Sequence, residues 1–91
     1  MKKHTKIYLD YFNIDYDIAT SYHDYINCEI CPKMAVDIHH IIFKSQNGKD
    51  EINNLIALCR DCHIKAHSGE LSKIKLKDVH FRNVNKFNNV R

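Results

Sequence analysis

No apolar run in this 91-residue chain approaches the roughly 18 residues that a membrane-spanning helix requires. The sequence therefore predicts no membrane partner. No secretory leader is expected from the first residues either. Met1-Lys2-Lys3-His4 is basic, but the stretch after it is broken by Asp10, Asn13, Asp15 and Asp17. The expectation is an intracellular, cytoplasmic protein. Internal repeats, low-complexity stretches and linkers are lacking as well, so residues 1–91 read as a single domain. Positive charge is lacking over one long stretch. From Ile7 to Pro32 there is no Lys or Arg, while Asp10, Asp15, Asp17, Asp24 and Glu29 all fall there. Those acids would repel phosphate. The five tyrosines, all at or before Tyr25, are therefore read as packing the first segment onto the rest.

Beyond Leu71 the balance inverts, with Lys73, Lys75, Lys77, Arg82, Lys86 and Arg91 against Asp78 alone, within a formal net charge of +3. A basic extension over 70–91 fits a polyanionic partner. Lys73, Lys75 and Lys77 alternate with Ile74 and Leu76, which predicts an extended segment with one basic edge; a frayed helix end is the alternative. No recognition helix or dimerisation stripe is evident, and oligomeric state is not legible.

A chain this short buries too little apolar surface to be generously stable unaided, and a metal or disulfides are the usual remedies. Disulfides need an oxidising compartment. Cys28-Glu29-Ile30-Cys31 and Cys59-Arg60-Asp61-Cys62 are two CxxC knuckles, and in an intracellular chain such pairs favour zinc. Cys28, Cys31, Cys59 and Cys62 suit one tetrahedral structural Zn²⁺. Residues 1–27 form an N-terminal packing segment. Within it, residues 5–14 place Ile7, Tyr8, Tyr11 and Phe12 at helical spacing with Thr5 as N-cap, although Ile7, Leu9 and Tyr11 alternate equally well as a strand. The zinc-stapled core is 28–69. Ala35 to Phe43 is rich in β-branched residues and reads as a strand. Lys44 to Asn53 is a polar loop containing Gly48, Leu55–Leu58 a second strand, and Arg60 to His67 a helix that Gly69 terminates. The fold class is small α+β.

The remaining polar groups exceed what the zinc needs. His63 and His67, spaced i, i+4 on that helix, share a face with Cβ atoms roughly 5–6 Å apart and fit one metal ion. His39 and His40 are adjacent in a strand and face opposite sides. That arrangement suits one imidazole on the metal and one free to deprotonate water near neutral pH. Asn54, at the start of the second strand, would brace the loop backbone or orient an imidazole. Asn53 would serve equally by position. Asp37 shares a strand face with His39; a solvent-facing carboxylate is the simpler account, and orienting that imidazole is the alternative.

His39-His40, Asn54 and His63, with CxxC pairs on both sides, resemble the HNH endonuclease motif on a ββα-metal (His-Me finger) module. The stretch that carries the resemblance runs from Cys28 to His67, and the Asn-Leu-Ile-Ala-Leu-Cys run and the Cys-His junction fall in the family's order. The resemblance implies His40 as general base, His39 and His63 as ligands of one catalytic divalent metal, and Asn54 as the motif asparagine. In some members a histidine four residues on also binds metal, which falls on His67; in others the asparagine does. The pattern departs in one respect: many members have a proline shortly after the histidine pair, where this chain has Phe43 and Lys44. The implied activity is one-metal hydrolysis of DNA phosphodiester bonds, with Mg²⁺, Mn²⁺, Ni²⁺ or Zn²⁺ as the ion and Lys44, Lys49, Lys73, Lys75 and Lys77 against the nucleic acid. The rival is a non-catalytic zinc-ribbon module that binds nucleic acid. It has no need for a free imidazole beside a ligand. A dithiol redox protein is a third class, but two CxxC pairs around a histidine cluster do not suit it.

Overall fold

The computed structural model describes residues 1–90; Arg91, part of the basic extension, lies outside the described residues. Helix α1 covers Lys3–Tyr11 and begins ahead of Thr5, with Lys2 at its N-cap and no side-chain cap. The adjacent Tyr8 and Leu9 are both buried, and Phe12 packs with them. Positions i, i+1 and i+4 share a helix face, whereas a strand would turn Tyr8 and Leu9 to opposite sides, and that decides between the two readings. A two-residue hairpin follows, β1 (Tyr16–Asp17) antiparallel to β2 (Tyr22–His23). The tyrosines divide. Tyr8 is buried, Tyr11 donates to Asn88 and Tyr16 to Asp10, while Tyr22 and Tyr25 stay exposed.

The central element is a second hairpin. Strand β3 (Asp37–His40) pairs antiparallel with β4 (Leu55–Leu58), Asp37 opposite Leu58 and His40 opposite Leu55. The strand predicted over 35–43 is thus shorter at both ends. Past His40 the asparagine side chain takes over the pairing. Asn54 Oδ1 accepts from Ile42 N at 2.7 Å and Asn54 Nδ2 donates to Ile42 O at 3.1 Å and Lys49 O at 3.0 Å. One buried amide closes both ends of the loop onto the strand.

Every residue of β4 is buried because both its faces are covered. Ile56 and Leu58 pack with Cys28, Cys59, Cys62, Ala66 and Leu76; Leu55 and Ala57 pack with Tyr8, Leu9, Ile26 and Ile38. Within the loop, Gly48 N donates to Phe43 O at 2.9 Å. A Cβ on Gly48 would lie 1.7 Å from Ile42 O. No side chain fits without moving the turn that follows the histidine pair. Gly48→Ala should therefore destabilise the protein by about 1–3 kcal/mol, as overpacking does. Thermal unfolding measures this, and an unchanged midpoint would contradict the contact.

Helix α2 (Arg60–Ser68) starts at Cys59, whose Sγ accepts from Cys62 N at 3.4 Å, and ends at Gly69 with φ of 86°. That left-handed terminus is where glycine costs least. The chain then forms α3 (Lys73–Asn89), a 17-residue helix, which corrects the extended reading of Lys73, Lys75 and Lys77. Ser72 caps it by accepting from Lys75 N, and Leu76, His80 and Val84 are its buried face at i, i+4, i+8. The lysine alternation is incidental to that face. On a helix Lys73 and Lys77 share a side and Lys75 does not, so there is no single basic edge.

Helix α3 is fixed to the core through Glu29. His80 Nδ1 lies 2.9 Å from Glu29 Oε1, and His80 Nε2 lies 2.6 Å from Ile52 O. The ring thus bridges the Glu29 carboxyl and the Ile52 carbonyl. Tyr8 Oη donates to Glu29 Oε2 at 2.6 Å and Asn83 Nδ2 to Glu29 Oε1 at 3.0 Å. Burial, then the Glu29 charge, pushes the Tyr8 phenol upward, which keeps it a donor. Among the described residues no helix is long and apolar enough to cross a membrane.

Candidate active site

The register of the β3–β4 hairpin sorts the two adjacent histidines. His39 pairs with Ile56 and shares its face, toward α2; His40 pairs with Leu55, on the face toward α1. On the α2 side, His63 and His67 lie on consecutive turns with their Nε2 atoms 3.0 Å apart. The His39 ring centroid is 5.1 Å from each of theirs. One ligand atom from each of the three lies within 4.8 Å of the others. Helix α2 can hold this pose because Cys59 and Cys62 fix its first turn.

The electrostatics of the trio suit a cation. Burial, and then His63 and His67, hold the His39 imidazole down at about 4, so it is neutral and keeps a lone pair. His39 Nε2 is buried with no hydrogen-bond partner among the described residues. An unsatisfied buried nitrogen costs about 1–3 kcal/mol, and a bound cation would remove that cost. Three converging imidazoles with one orphaned nitrogen fit a divalent transition ion. Asp37 does not orient His39. Its Oδ2 lies 3.5 Å from His63 Nδ1, because Asp37 sits at the far end of β3, where α2 begins its path past the strand. Asn54 is likewise separate from the trio, its amide spent on Ile42 and Lys49.

On the other face His40 Nε2 lies 2.7 Å from Asp50 Oδ1, with both side chains 13–14% exposed. Lys44 Nζ is 3.1 Å from Asp50 Oδ2. The His40 hydrogen bond, then that of Lys44, holds the Asp50 carboxyl down at about 2. His4, from α1, places its ring centroid 4.5 Å from that of His40. Burial, then His40, lowers the His4 imidazole. A cleft of about 450 Å³ joins the two faces and is lined by His4, His39, His40, His63 and His67 together with Lys2, Lys44 and Phe43. Phe43 stacks on His67 at 5.3 Å, and Lys73 Nζ sits 4.4 Å above the Phe43 ring. So Lys44 lines the cleft, while Lys49, Lys73, Lys75 and Lys77 are exposed and outside its lining, Lys73 reaching its edge through the Phe43 ring. Sequence reasoning missed Asp50 and His4. Asp50 lies in a polar loop without periodicity, and His4 is remote in sequence; only the fold brings them to His40.

The cysteines converge separately. One ligand atom from each of Cys28, Cys31, Cys59 and Cys62 falls within 4.8 Å of the rest, and none is in a disulfide. Cys31 Sγ is 3.5 Å from Cys59 Sγ and 3.9 Å from Cys62 Sγ. Tetrahedral zinc with Zn–S of ~2.3 Å needs sulfurs about 3.8 Å apart. Burial raises the Cys59 thiol, but hydrogen bonds from Cys62 N and from the Cys31 and Cys62 thiols outweigh it and hold Cys59 down at about 7. The cluster is compatible with zinc.

The family model of the HNH endonucleases matches residues 26–69. Those residues form an HNH-family module. The match spans both knuckles, the β3–β4 hairpin and α2. Two curated relatives carry the comparison further. Anaredoxin of Nostoc sp. (strain PCC 7120 / SAG 25.82 / UTEX 2576) is 48% identical over 46 residues, which is 48% of this chain and 60% of that protein. The type IV methyl-directed restriction enzyme EcoKMcrA of Escherichia coli (strain K12) is 32% identical over 69 residues, which is 65% of this chain and 24% of that enzyme. The chain thus spans well under the full length of either relative. No solved structure gives a significant match. The HNH module carries all four cysteines and the histidines of the α2 face, whereas His4 and Lys73 lie outside it.

Proposed function

We propose that the protein is a cytoplasmic, metal-dependent endonuclease that hydrolyses DNA phosphodiester bonds. The observation that carries this reading is the split of the histidine pair within one cleft: His39 sits in a trio with His63 and His67, and His40 stands apart on Asp50. A binding module needs no such division. The likeness to a restriction enzyme over 69 residues supports DNA as the substrate.

His39, His63 and His67 would hold one divalent ion. When bound, that ion supplies Lewis-acid stabilisation of negative charge on the phosphate and its leaving oxygen. The residues of the chain perform the proton chemistry. With its Nε2–H donated to Asp50, His40 keeps its lone pair on Nδ1 and accepts a proton from the attacking water, whose oxygen adds to phosphorus. Asp50 fixes that tautomer as a positioning residue. Asn54 holds the chain just after His40 in place through its three backbone contacts, and so acts as a brace rather than a ligand. Cys28, Cys31, Cys59 and Cys62 would hold a structural zinc that aims α2. Lys44 and Lys73 would meet phosphates beside the scissile one. The division into an N-terminal packing segment over 1–27, a nuclease core over 28–69 and a basic extension over 70–91 goes with this reading. Helix α3 is then the DNA-facing extension.

Incubation with supercoiled plasmid and Mg²⁺, Mn²⁺ or Ni²⁺ tests the reading, with EDTA as control. Metal-dependent nicking or linearisation is expected; intact plasmid under every ion would overturn it. The lysine assignment has its own measurement. Lys73→Gln should flatten the slope of log affinity against log salt by about 0.9, without altering sequence preference. Binding by cleavage-deficient protein between about 50 and 200 mM salt reads that slope. An unchanged slope would assign the phosphate contacts to Lys44 and Lys49.

A further inference from the structure

The HNH module accounts for His39, His63 and His67 but not for a second convergence across the cleft. His4, His40 and Asp50 each offer a ligand atom, and these atoms lie within 4.8 Å of one another. They come from α1, β3 and the loop before β4, so the folded chain, not local sequence, assembles them. Neither nitrogen of His4 has a hydrogen-bond partner among the described residues, although its ring lies against that of His40. Asp50 is the acceptor between His40 and Lys44, and supplies the negative charge that a cation requires.

We propose that His4, His40 and Asp50 form a second, inhibitory site for a divalent transition ion such as Zn²⁺. Two imidazoles and one carboxylate suit Zn²⁺, Co²⁺ or Ni²⁺; Mg²⁺, which prefers oxygen ligands and keeps its waters, is a poor fit. The consequence follows from counting protons on one ring. Neutral imidazole carries one N–H and one lone pair. If the lone pair of His40 goes to the ion, its single proton occupies the other nitrogen, and nothing is left to accept a proton from water. Metal binding here and general-base catalysis are mutually exclusive. This consequence rests on His40 as the base, whereas the existence of the site does not. Zn²⁺ beyond what His39, His63 and His67 hold fills the second site and switches the enzyme off.

Metal content at saturation tests the site without any activity measurement. Equilibrium dialysis against Zn²⁺, followed by elemental analysis, should give one ion for each of the three converging groups in the parent protein. His4→Ala should bind one fewer, and so should Asp50→Asn. His4 lines the cleft from α1 and is assigned no proton transfer, so Zn²⁺ inhibition of His4→Ala is read relative to that variant's own rate before Zn²⁺ is added. With Mn²⁺ present, it should require roughly tenfold more Zn²⁺ or more for the same inhibition, on the scale of losing a metal-site contact. Equal stoichiometry in the parent and both variants would overturn the site. One fewer ion with unchanged Zn²⁺ inhibition would overturn the inhibitory role. If His40→Ala still cleaves while binding one fewer ion, the base assignment fails and the metal site stands.

Discussion

Cys59→Ser should leave the protein unfolded or aggregated at ordinary temperatures, with its zinc lost. The expected size follows from where Cys59 sits. It is buried in the core cluster with Ile56, Leu58, Cys62 and Ala66, and it is also the N-cap of α2. Its sulfur is at once a core atom, a helix cap and a member of the four-cysteine cluster compatible with zinc. Loss of an N-cap alone costs about 0.5–2 kcal/mol. Structural zinc contributes far more, about 10–16 kcal/mol of apparent binding free energy in zinc-finger peptides at neutral pH. A domain of this size typically holds only about 5–15 kcal/mol of total stability, so losing the metal is enough to unfold it. Chelation of the parent protein should act in the same direction. Circular dichroism during thermal unfolding, with zinc content measured in parallel, checks both. A Cys59→Ser protein with the parental midpoint and parental zinc would remove the structural-metal assignment.

The legible parts of the molecule were those in which chemistry repeats at short range. The two CxxC pairs, the i, i+4 histidines and the apolar Leu55–Leu58 run each carry their own spacing, and β4, α2 and the cysteine cluster lie where that spacing puts them. Asn54 was legible only in part, since brace and imidazole partner were both open and Asn53 fits equally by position; the contacts to Ile42 and Lys49 make the choice. The illegible parts depend on contacts distant in sequence. Helix α3 was misread since Lys73-Ile74-Lys75-Leu76-Lys77 alternates by chance. Its true signal is Leu76, His80 and Val84, and His80 is a core residue only because Glu29, 51 positions away, receives it. Strand parity offered His39 as a partner for Asp37 beside the simpler solvent-facing account, but parity fixes only the face, and α2 presents His63 closer. His4 had no local signal at all. Its place against His40 follows from α1 packing across β3 and β4 through Tyr8 and Leu9.

His40→Ala should abolish cleavage while leaving the fold, the cysteine-bound zinc and the ion held by His39, His63 and His67 intact. The register of β3 is the reason that these separate. His39 lies on the α2 side and His40 on the α1 side, so truncating the base removes nothing from the imidazole trio. The cost to the fold is limited because His40 lines the cleft, outside both core clusters, and its one strong partner, Asp50, keeps Lys44. General-base catalysis contributes typically 10²–10⁴-fold, so cleavage should fall by about that factor under saturating Mn²⁺. His63→Ala should also abolish cleavage, but with loss of the catalytic ion, and metal content distinguishes the two variants. Asp50→Asn is the third member of the set. It keeps the shape of the hydrogen bond but no longer holds the proton on Nε2, so it should lower the rate without removing His40. The expected order of rates is parent, then Asp50→Asn, then His40→Ala. Plasmid cleavage by the three proteins at equal metal occupancy measures it, and a His40→Ala protein that cleaves at the parental rate would move the base to another residue of the cleft, with His4 the nearest imidazole.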